Sequence, residues 1–438
     1  MNRVSGGFGM NLSRCAPATG IFRCAPALVV LFCALCSGVP AIAAAGVLTL
    51  DEAIQRALED APQLRAAQAS LDGAKDIAPS AGRLPDPEAI VGIDNLPLTT
   101  SDAFSLSRDF MTMRKVGVMQ AVPSAAKRSS QRALASREVE LAEARLVAGR
   151  FDIARSAADA WIAGAIAAGS LDLLRARREG LATTAAAARA ALASGNRSVG
   201  ETLASEAVLA RVDARILELE QQLAMRRAEL SRWVGGASSS DLAPLPWQRE
   251  LEPASLMLSQ TVEAHSPLAP AAAQVELARA EVQVARADRR PDWSAELSYA
   301  KRGSNFSDMV SLEFRVGLPL FTRHRQDPVI ASRLAELRAR EAEQQAEIRM
   351  HRAEVETLIA QWRSGRQRMT HYVDTLLPLA GDRVRATTAA FKSGRGDLSA
   401  VIGANADETD LQLERIALEG EISRAWVFLH LLHSTEAP

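Results

Sequence analysis

Apolar residues recur along most of this chain with the period of a coiled coil. Between Lys127 and Leu192 there is no proline, and Val139, Leu146, Ile153, Ala160, Ala167, Leu174 and Leu181 fall every seven residues. Three positions after the first five lie Ala142, Gly149, Ser156, Ala163 and Ser170, small enough to let a neighbouring helix approach closely. Ile348, Val355, Trp362, Met369 and Leu376 form a matching stripe later on. The pattern predicts helices over Lys127–Leu192, broken at Ser194-Gly195-Asn196, and Val199–Val234, stopped at Gly235-Gly236. An opening helix over Leu48–Gly82 starts at Thr49, with Glu52 three residues on to complete a capping box. The second half predicts helices over Ala254–Arg290, Val329–Lys392 and Asp397–His433. A helix of about 65 residues reaches roughly 100 Å. Two of about 35 residues stacked end to end would match it, which suggests a tall cylinder of antiparallel helices.

Short stretches switch to a period of two. Trp293, Ala295, Leu297 and Tyr299 alternate with Ser294, Glu296 and Ser298, and Leu312, Phe314, Val316 and Leu318 with Ser311, Glu313, Arg315 and Gly317. These predict strands over Trp293–Ala300 and Met309–Leu320 with one apolar and one charged face. Glu88–Asn95 and Met111–Val122 read as an earlier pair. Ala89, Val91 and Ile93 alternate well there, whereas Met111, Met113, Val116 and Val118 change phase near Lys115. Such dyads fit a membrane β-barrel as well as a sheet half-buried on a soluble core.

The two halves share one order of features. Leu71, Ala74, Ala81, Arg83, Pro85 and Asp86 recur 206 positions later as Leu277, Ala280, Ala287, Arg289, Pro291 and Asp292. Trp161-x-x-Gly164 is answered by Trp362-x-x-Gly365, and Ser194-Gly195 by Ser393-Gly394. The chain therefore divides into an N-terminal segment 1–45, a first repeat 46–236, a linker 237–253 and a second repeat 254–438. Duplication implies a symmetric architecture, which suits a duct better than a catalytic cleft.

Composition narrows the class. The chain has 438 residues and net charge −1, without the basic footprint of a nucleic-acid binder. All four cysteines (Cys15, Cys24, Cys33, Cys36) precede Gly38, so the rest can build neither disulfides nor thiolate metal sites. Arg3, Arg14 and Arg23, the apolar run Ala25–Leu35 and the small-x-small sites at Ala41–Ala45 read as a cleaved secretion signal; an uncleaved anchor is the alternative. Phe32 and Leu35, which precede Cys33 and Cys36, do not fit a lipobox. No later stretch reads as a membrane helix of ~20 apolar residues. A mature chain that spans a membrane must therefore use strands. One chain supplies four strands, too few to close; three copies give twelve and leave a lumen.

At this point the chain resembles the TolC-type outer-membrane efflux proteins. The resemblance rests on Leu48–Ala67 (LTLDEAIQRALEDAPQLRAA), Gly82-Arg-Leu-Pro-Asp-Pro87, Val118–Arg128 (VMQAVPSAAKR), Val316-Gly-Leu-Pro-Leu-Phe321 and Ser393-Gly-Arg-Gly-Asp-Leu398. The Gln120-x-x-Pro123…Lys127-Arg128 run is most similar to the heavy-metal branch, the outer-membrane factors of cobalt–zinc–cadmium or copper exporters. The resemblance implies a mainly α protein with a membrane β-barrel portion: a homotrimer, a twelve-strand barrel in outer-membrane lipid and a helical tunnel through the periplasm. It implies as partners a periplasmic adaptor (membrane fusion protein) and an inner-membrane pump of the resistance–nodulation–division type. Drug efflux, type I secretion and a periplasmic coiled-coil scaffold without a barrel are the alternatives.

A duct needs no chemistry, and no nucleophile elbow, phosphate loop or HExxH occurs in the chain. No enzyme activity, cofactor or resident metal is expected. The candidate site is the pair of helix–turn–helix tips: Gly195, Asn196 and Arg197, and Gly394, Arg395, Gly396 and Asp397. They are candidates for the periplasmic entrance and for adaptor docking, with Arg395 and Asp397 as charged rings in a trimer. The bland readings are a helix N-cap for Asp397 and a solvated turn for Arg197. Among six histidines, His430 and His433 lie three apart on one helix. An ordinary interhelical pair outweighs a metal site there.

Overall fold

The computed structural model describes residues 46–99, 101–195 and 198–436. The expected secretion signal with its four cysteines lies outside them, as do Asn196 and Arg197. Among the described residues the helices are α1 (Leu50–Asp60), α2 (Pro62–Ile77), α3 (Ala125–Ala193), α4 (Val199–Val234), α5 (Ala269–Ala287), α6 (Gln326–His371), α7 (Leu377–Lys392) and α8 (Leu398–Glu436). The strands are β1 (Glu88–Asp94), β2 (Met113–Val122), β3 (Trp293–Lys301) and β4 (Met309–Val316). They form one antiparallel sheet in the order β1-β2-β3-β4.

Most departures from expectation trace to proline. The expected helix Leu48–Gly82 is two, because Pro62 lacks an N–H and Ala61 before it is extended at ψ 114°. Its start is as read: the Glu52 N–H donates to Thr49 Oγ1 at 3.3 Å and the Thr49 N–H to Glu52 Oε2 at 3.1 Å. The expected helix Ala254–Arg290 forms only from Ala269; before it run three 3₁₀ turns, the last holding Pro267. Helix Val329–Lys392 is interrupted by a π-turn at Tyr372–Leu376, directly ahead of Pro378, whose ring nitrogen has no proton for the turn before it. Strand β4 ends at Val316 and not Leu320. The Gly317 N–H turns to the Asp292 carbonyl at 2.8 Å, and Pro319 has no N–H to give.

The 69 residues of α3 make it roughly 100 Å long. It packs along α1, α2, α4, α5 and α8. Ile153, Ala167 and Leu174 of the predicted seam are buried, and so are Ile348, Val355, Trp362 and Met369 of the second stripe. Against expectation, α3 is long and apolar enough to cross a membrane; 56% of its most apolar window is buried inside the fold. Its alanine-rich middle faces other helices.

The paired Trp-x-x-Gly motifs explain themselves here. Trp161 is fully buried, and its indole N–H donates to the Leu48 carbonyl at 3.0 Å. A methyl group on Gly164 would meet Leu242 at 2.9 Å, and one on Gly365 would meet Ile422 at 2.8 Å. The tryptophans fill the core, and the glycines one turn later let the next element close on it.

Candidate functional site

Pairing through the sheet is one-to-one. Val91 lies opposite Val116, Val116 opposite Tyr299, and Tyr299 opposite Val310; Val118 lies opposite Leu297, and Leu297 opposite Leu312. Residues directly opposite share a face, so Val91, Val116, Val118, Leu297, Val310, Leu312, Phe314 and Val316 form one apolar surface, and every one of them is more than half exposed. Trp293 and Tyr299 sit towards the two ends of β3, about 20 Å apart along the strand. Amphipathic rings at two levels flanking an apolar band are what a bilayer selects.

The other face is a charged ladder. Lys115 Nζ lies 3.1 Å from Glu296 and 3.7 Å from Asp94, and Arg315 lies 2.6 Å from both Glu296 and Glu313. These five groups span all four strands. The phase change expected near Lys115 is absent: β1 and β2 pair without a bulge, Met113 and Lys115 face the charged side, and Arg114, Val116 and Val118 face the apolar side. Met113, an apolar residue on the polar face, broke the pattern in the sequence.

The two tips are built alike. Gly195 and Gly394 both adopt φ +72°, and each N–H bonds the carbonyl three residues back, Leu192 and Phe391 respectively, at 3.0 Å. Only glycine enters that region without strain. Gly396 is required for a different reason: a Cβ there would come within 2.8 Å of the Phe391 backbone nitrogen. Arg395 donates its N–H to the Ala390 carbonyl at 3.0 Å. Asp397 Oδ1 accepts from the Ser399 N–H at 3.2 Å, the geometry of a helix cap.

The helix pairs that carry the tips lie side by side. Arg177 of α3 bridges to Glu408 of α8 at 2.8 Å. A cavity of ≈ 330 Å³ between the pairs is lined by Leu174, Leu181, Val208, Val384, Val401 and Ile402. Both tips therefore project from one end of the helical bundle. Asn196 and Arg197 lie outside the described residues.

The sequence reading missed a buried histidine pair. His265 Nδ1 and His351 Nε2 are 3.0 Å apart, His265 1% exposed and His351 7%. Desolvation, with the other imidazole beside it, holds His265 down at about 4; desolvation also lowers His351, although Glu354 opposes it. The two are 86 positions apart, and no spacing rule joins them. His430, by contrast, stacks on Trp426 at 4.6 Å. Among the described residues no three histidine, cysteine or carboxylate side chains stand close enough to hold a metal ion.

A long helical bundle carrying a four-stranded sheet with one lipid-like face has close structural parallels. Residues 257–433 match the family described as outer membrane efflux protein. The second half of the chain is thus similar to the outer membrane efflux proteins. The fold is that of VceC, an outer membrane protein of Vibrio cholerae, at TM-score 0.73 and 20% identity, over 87% of this chain and 95% of that one. CmeC, an outer membrane channel of Campylobacter jejuni, matches at TM-score 0.73 and 11% identity over 88% and 85%. CusC matches at 0.64 and 15% over 87% and 91%. No curated protein matches the chain.

Proposed function

We propose that this chain is the outer-membrane exit duct of a tripartite efflux system. Three copies complete a twelve-strand barrel, and their helices form a tunnel reaching into the periplasm. The observation that carries the reading is the sheet: an exposed apolar face, a charged opposite face and two unpaired edges, a combination stable only when lipid covers one side and neighbouring copies close the edges. The match of residues 257–433 to the outer membrane efflux protein family and the likeness to the folds of VceC and CmeC support it. The duct does no catalysis; lumen width and lining charge set what passes. Its partners on this reading are a periplasmic adaptor, docking at the tips around Gly195 and Gly394–Asp397, and an inner-membrane pump of the resistance–nodulation–division type. Heavy-metal cations are the proposed cargo, on the strength of Gln120-x-x-Pro123…Lys127-Arg128. CusC matches the fold at a lower TM-score than VceC or CmeC, so that part rests on sequence alone.

The test is to extract the protein from outer membranes in mild detergent, take its native mass and measure conductance in a planar bilayer. A trimer forming cation-preferring channels is expected. A soluble, non-conducting species would replace the duct with a periplasmic scaffold.

A further inference from the structure

The two repeats can be superposed through their hairpins, and this fixes how one copy joins the next. Glu88 corresponds to Ser294 by the displacement of 206 seen in the flanking Asp86 and Asp292. Their hairpin partners are Met119 and Arg315, which lie 196 apart, and every other pair in the two hairpins gives the same value. So β1 corresponds to β3 at 206, and β2 to β4 at 196. The second displacement superposes Pro123 on Pro319 and Lys127 on Arg323, a match that the strand registers did not assume.

Within one chain the hairpins meet where β2 pairs β3. Val116 lies opposite Tyr299, Val118 opposite Leu297, and Gln120 opposite Ala295. Below that seam Lys127 Nζ binds Asp292 at 2.6 Å, and the Ser124 N–H donates to the same carboxylate at 2.9 Å. In a ring of alternating hairpins, the seam between copies joins β4 of one to β1 of the next, and it is the repeat-equivalent of the β2–β3 seam.

Resting on the duct reading above, we infer that β4 pairs β1 of a second copy with Leu312 opposite Ile93, Phe314 opposite Val91 and Val316 opposite Ala89, and that Arg323 binds Asp86 across this seam as Lys127 binds Asp292 within the chain. Two features favour it. Each pair brings together residues of the outer face, so the apolar band continues around the barrel without a break; a slip of one residue would set Phe314 against Ile90 or Gly92 of the charged face. Asp86 and Arg323 are both exposed, and neither makes a side-chain hydrogen bond or ion pair in the single chain, among the described residues. The local frame differs in three respects: Arg323 lies in the 3₁₀ turn Thr322–His324 ahead of α6, whereas Lys127 lies in the first turn of α3; Asp288, which lies 3.5 Å from Lys127 Nζ, has Gly82 as its counterpart; and Leu320, the counterpart of Ser124, donates its N–H to the Leu318 carbonyl at 2.9 Å.

Cysteine cross-linking tests the register, since no native cysteine lies beyond residue 36. The double variant Phe314→Cys/Val91→Cys should oxidise in outer membranes to a covalent ladder of dimers and trimers. Val118→Cys/Leu297→Cys is its equivalent inside one chain and serves as the positive control. Phe314→Cys with Ala89→Cys or Ile93→Cys should cross-link at least tenfold less. A trimer by native mass that cross-links better through position 89 or 93 would overturn the register and leave the duct standing; a monomer that cross-links through none would overturn both. For the ion pair, Asp86→Arg and Arg323→Asp should each lose most of the heat-resistant trimer, and the combined swap should restore it. Single variants as heat-resistant as the parent would remove the ion pair.

Discussion

Leu297→Arg tests the face assignment most directly. Leu297 is 57% exposed and stands between Val118 and Leu312, in the middle of the apolar surface. If lipid covers that surface, the guanidinium enters hydrocarbon near the midplane, at about 2–4 kcal/mol per copy. Three copies in a ring make about 6–12 kcal/mol, comparable to the whole stability of many folded domains. Ser311→Arg is the matched control. It is exposed, one position before Leu312 on the same strand, and faces the charged side opposite Ser298. There the new charge stays in water, close to carboxylates, and should cost no more than about 1 kcal/mol. The assay is folding from urea into lipid vesicles, read as the yield of heat-resistant oligomer. Leu297→Arg should abolish or strongly reduce it, and Ser311→Arg should leave it near the parent level. The reverse order would mean that the charged side faces lipid. Equal yields would mean that neither face meets lipid, and the barrel reading would fall.

Three further outcomes follow from the helical body. Trp161→Phe removes the 3.0 Å bond to the Leu48 carbonyl, which keeps a second donor in the Ala243 N–H at 3.1 Å; with the lost ring volume the cost should be about 2 kcal/mol, read from thermal unfolding. Gly82→Ala should cost about 2–3 kcal/mol, because φ is +65° and the new Cβ would lie 2.1 Å from the Arg128 carbonyl oxygen of α3, whereas Gly73→Ala in the open middle of α2 should gain about 0.5–1 kcal/mol. If Gly82→Ala unfolds at the parent midpoint, the corner packing is misread. The buried histidines predict acid sensitivity. His265 is held to about 4 in the fold against about 6.5 unfolded, so as pH falls the unfolded chain takes the proton first. Stability should be full above pH 6.5 and decline down to pH 4, by at most about 3 kcal/mol. His265→Gln should flatten that part of the profile; an unchanged slope would assign it to other groups.

The elements were legible where one rule governs a residue and hidden where two compete. Thr49 and Glu52 announce a helix start, and the structure forms both bonds of the box. Gly235, at φ +57°, ends α4 where the sequence says it should. The charged face was readable in Glu296, Glu313 and Arg315 because polar and apolar residues alternate cleanly there. It was obscured at Met113 because a lumen tolerates an apolar residue that lipid would equally accept. Proline positions were visible, but their outcomes differ with context: an extended break at Ala61–Pro62, a start delayed to Ala269, and a π-turn before Pro378 that keeps the helix going. The ion pairs between α3 and α8, and the hydrogen bond between His265 and His351, depend on which elements become neighbours, and periodicity within one segment does not encode that choice.

The two halves of the chain are alike at some positions and differ at others. Both tips kept a glycine at φ +72°, and both Trp-x-x-Gly motifs, midway along the tall helices, kept a glycine packed against a neighbour, so the constraints at the waist and at the tips act on both halves alike. Between waist and tip the two halves differ. Helix α3 runs unbroken for 69 residues, while its counterpart is divided by the π-turn at Tyr372–Leu376. The Tyr372 hydroxyl, at that turn, reaches Glu414 of α8 at 2.8 Å, a contact that ties the break to the partner helix. The divergence thus falls on the shaft that carries the Gly394–Asp397 tip and spares the shaft that carries Gly195. In the proposed ring of three chains such a difference reduces sixfold to threefold symmetry, the symmetry that three identical chains would impose in any case.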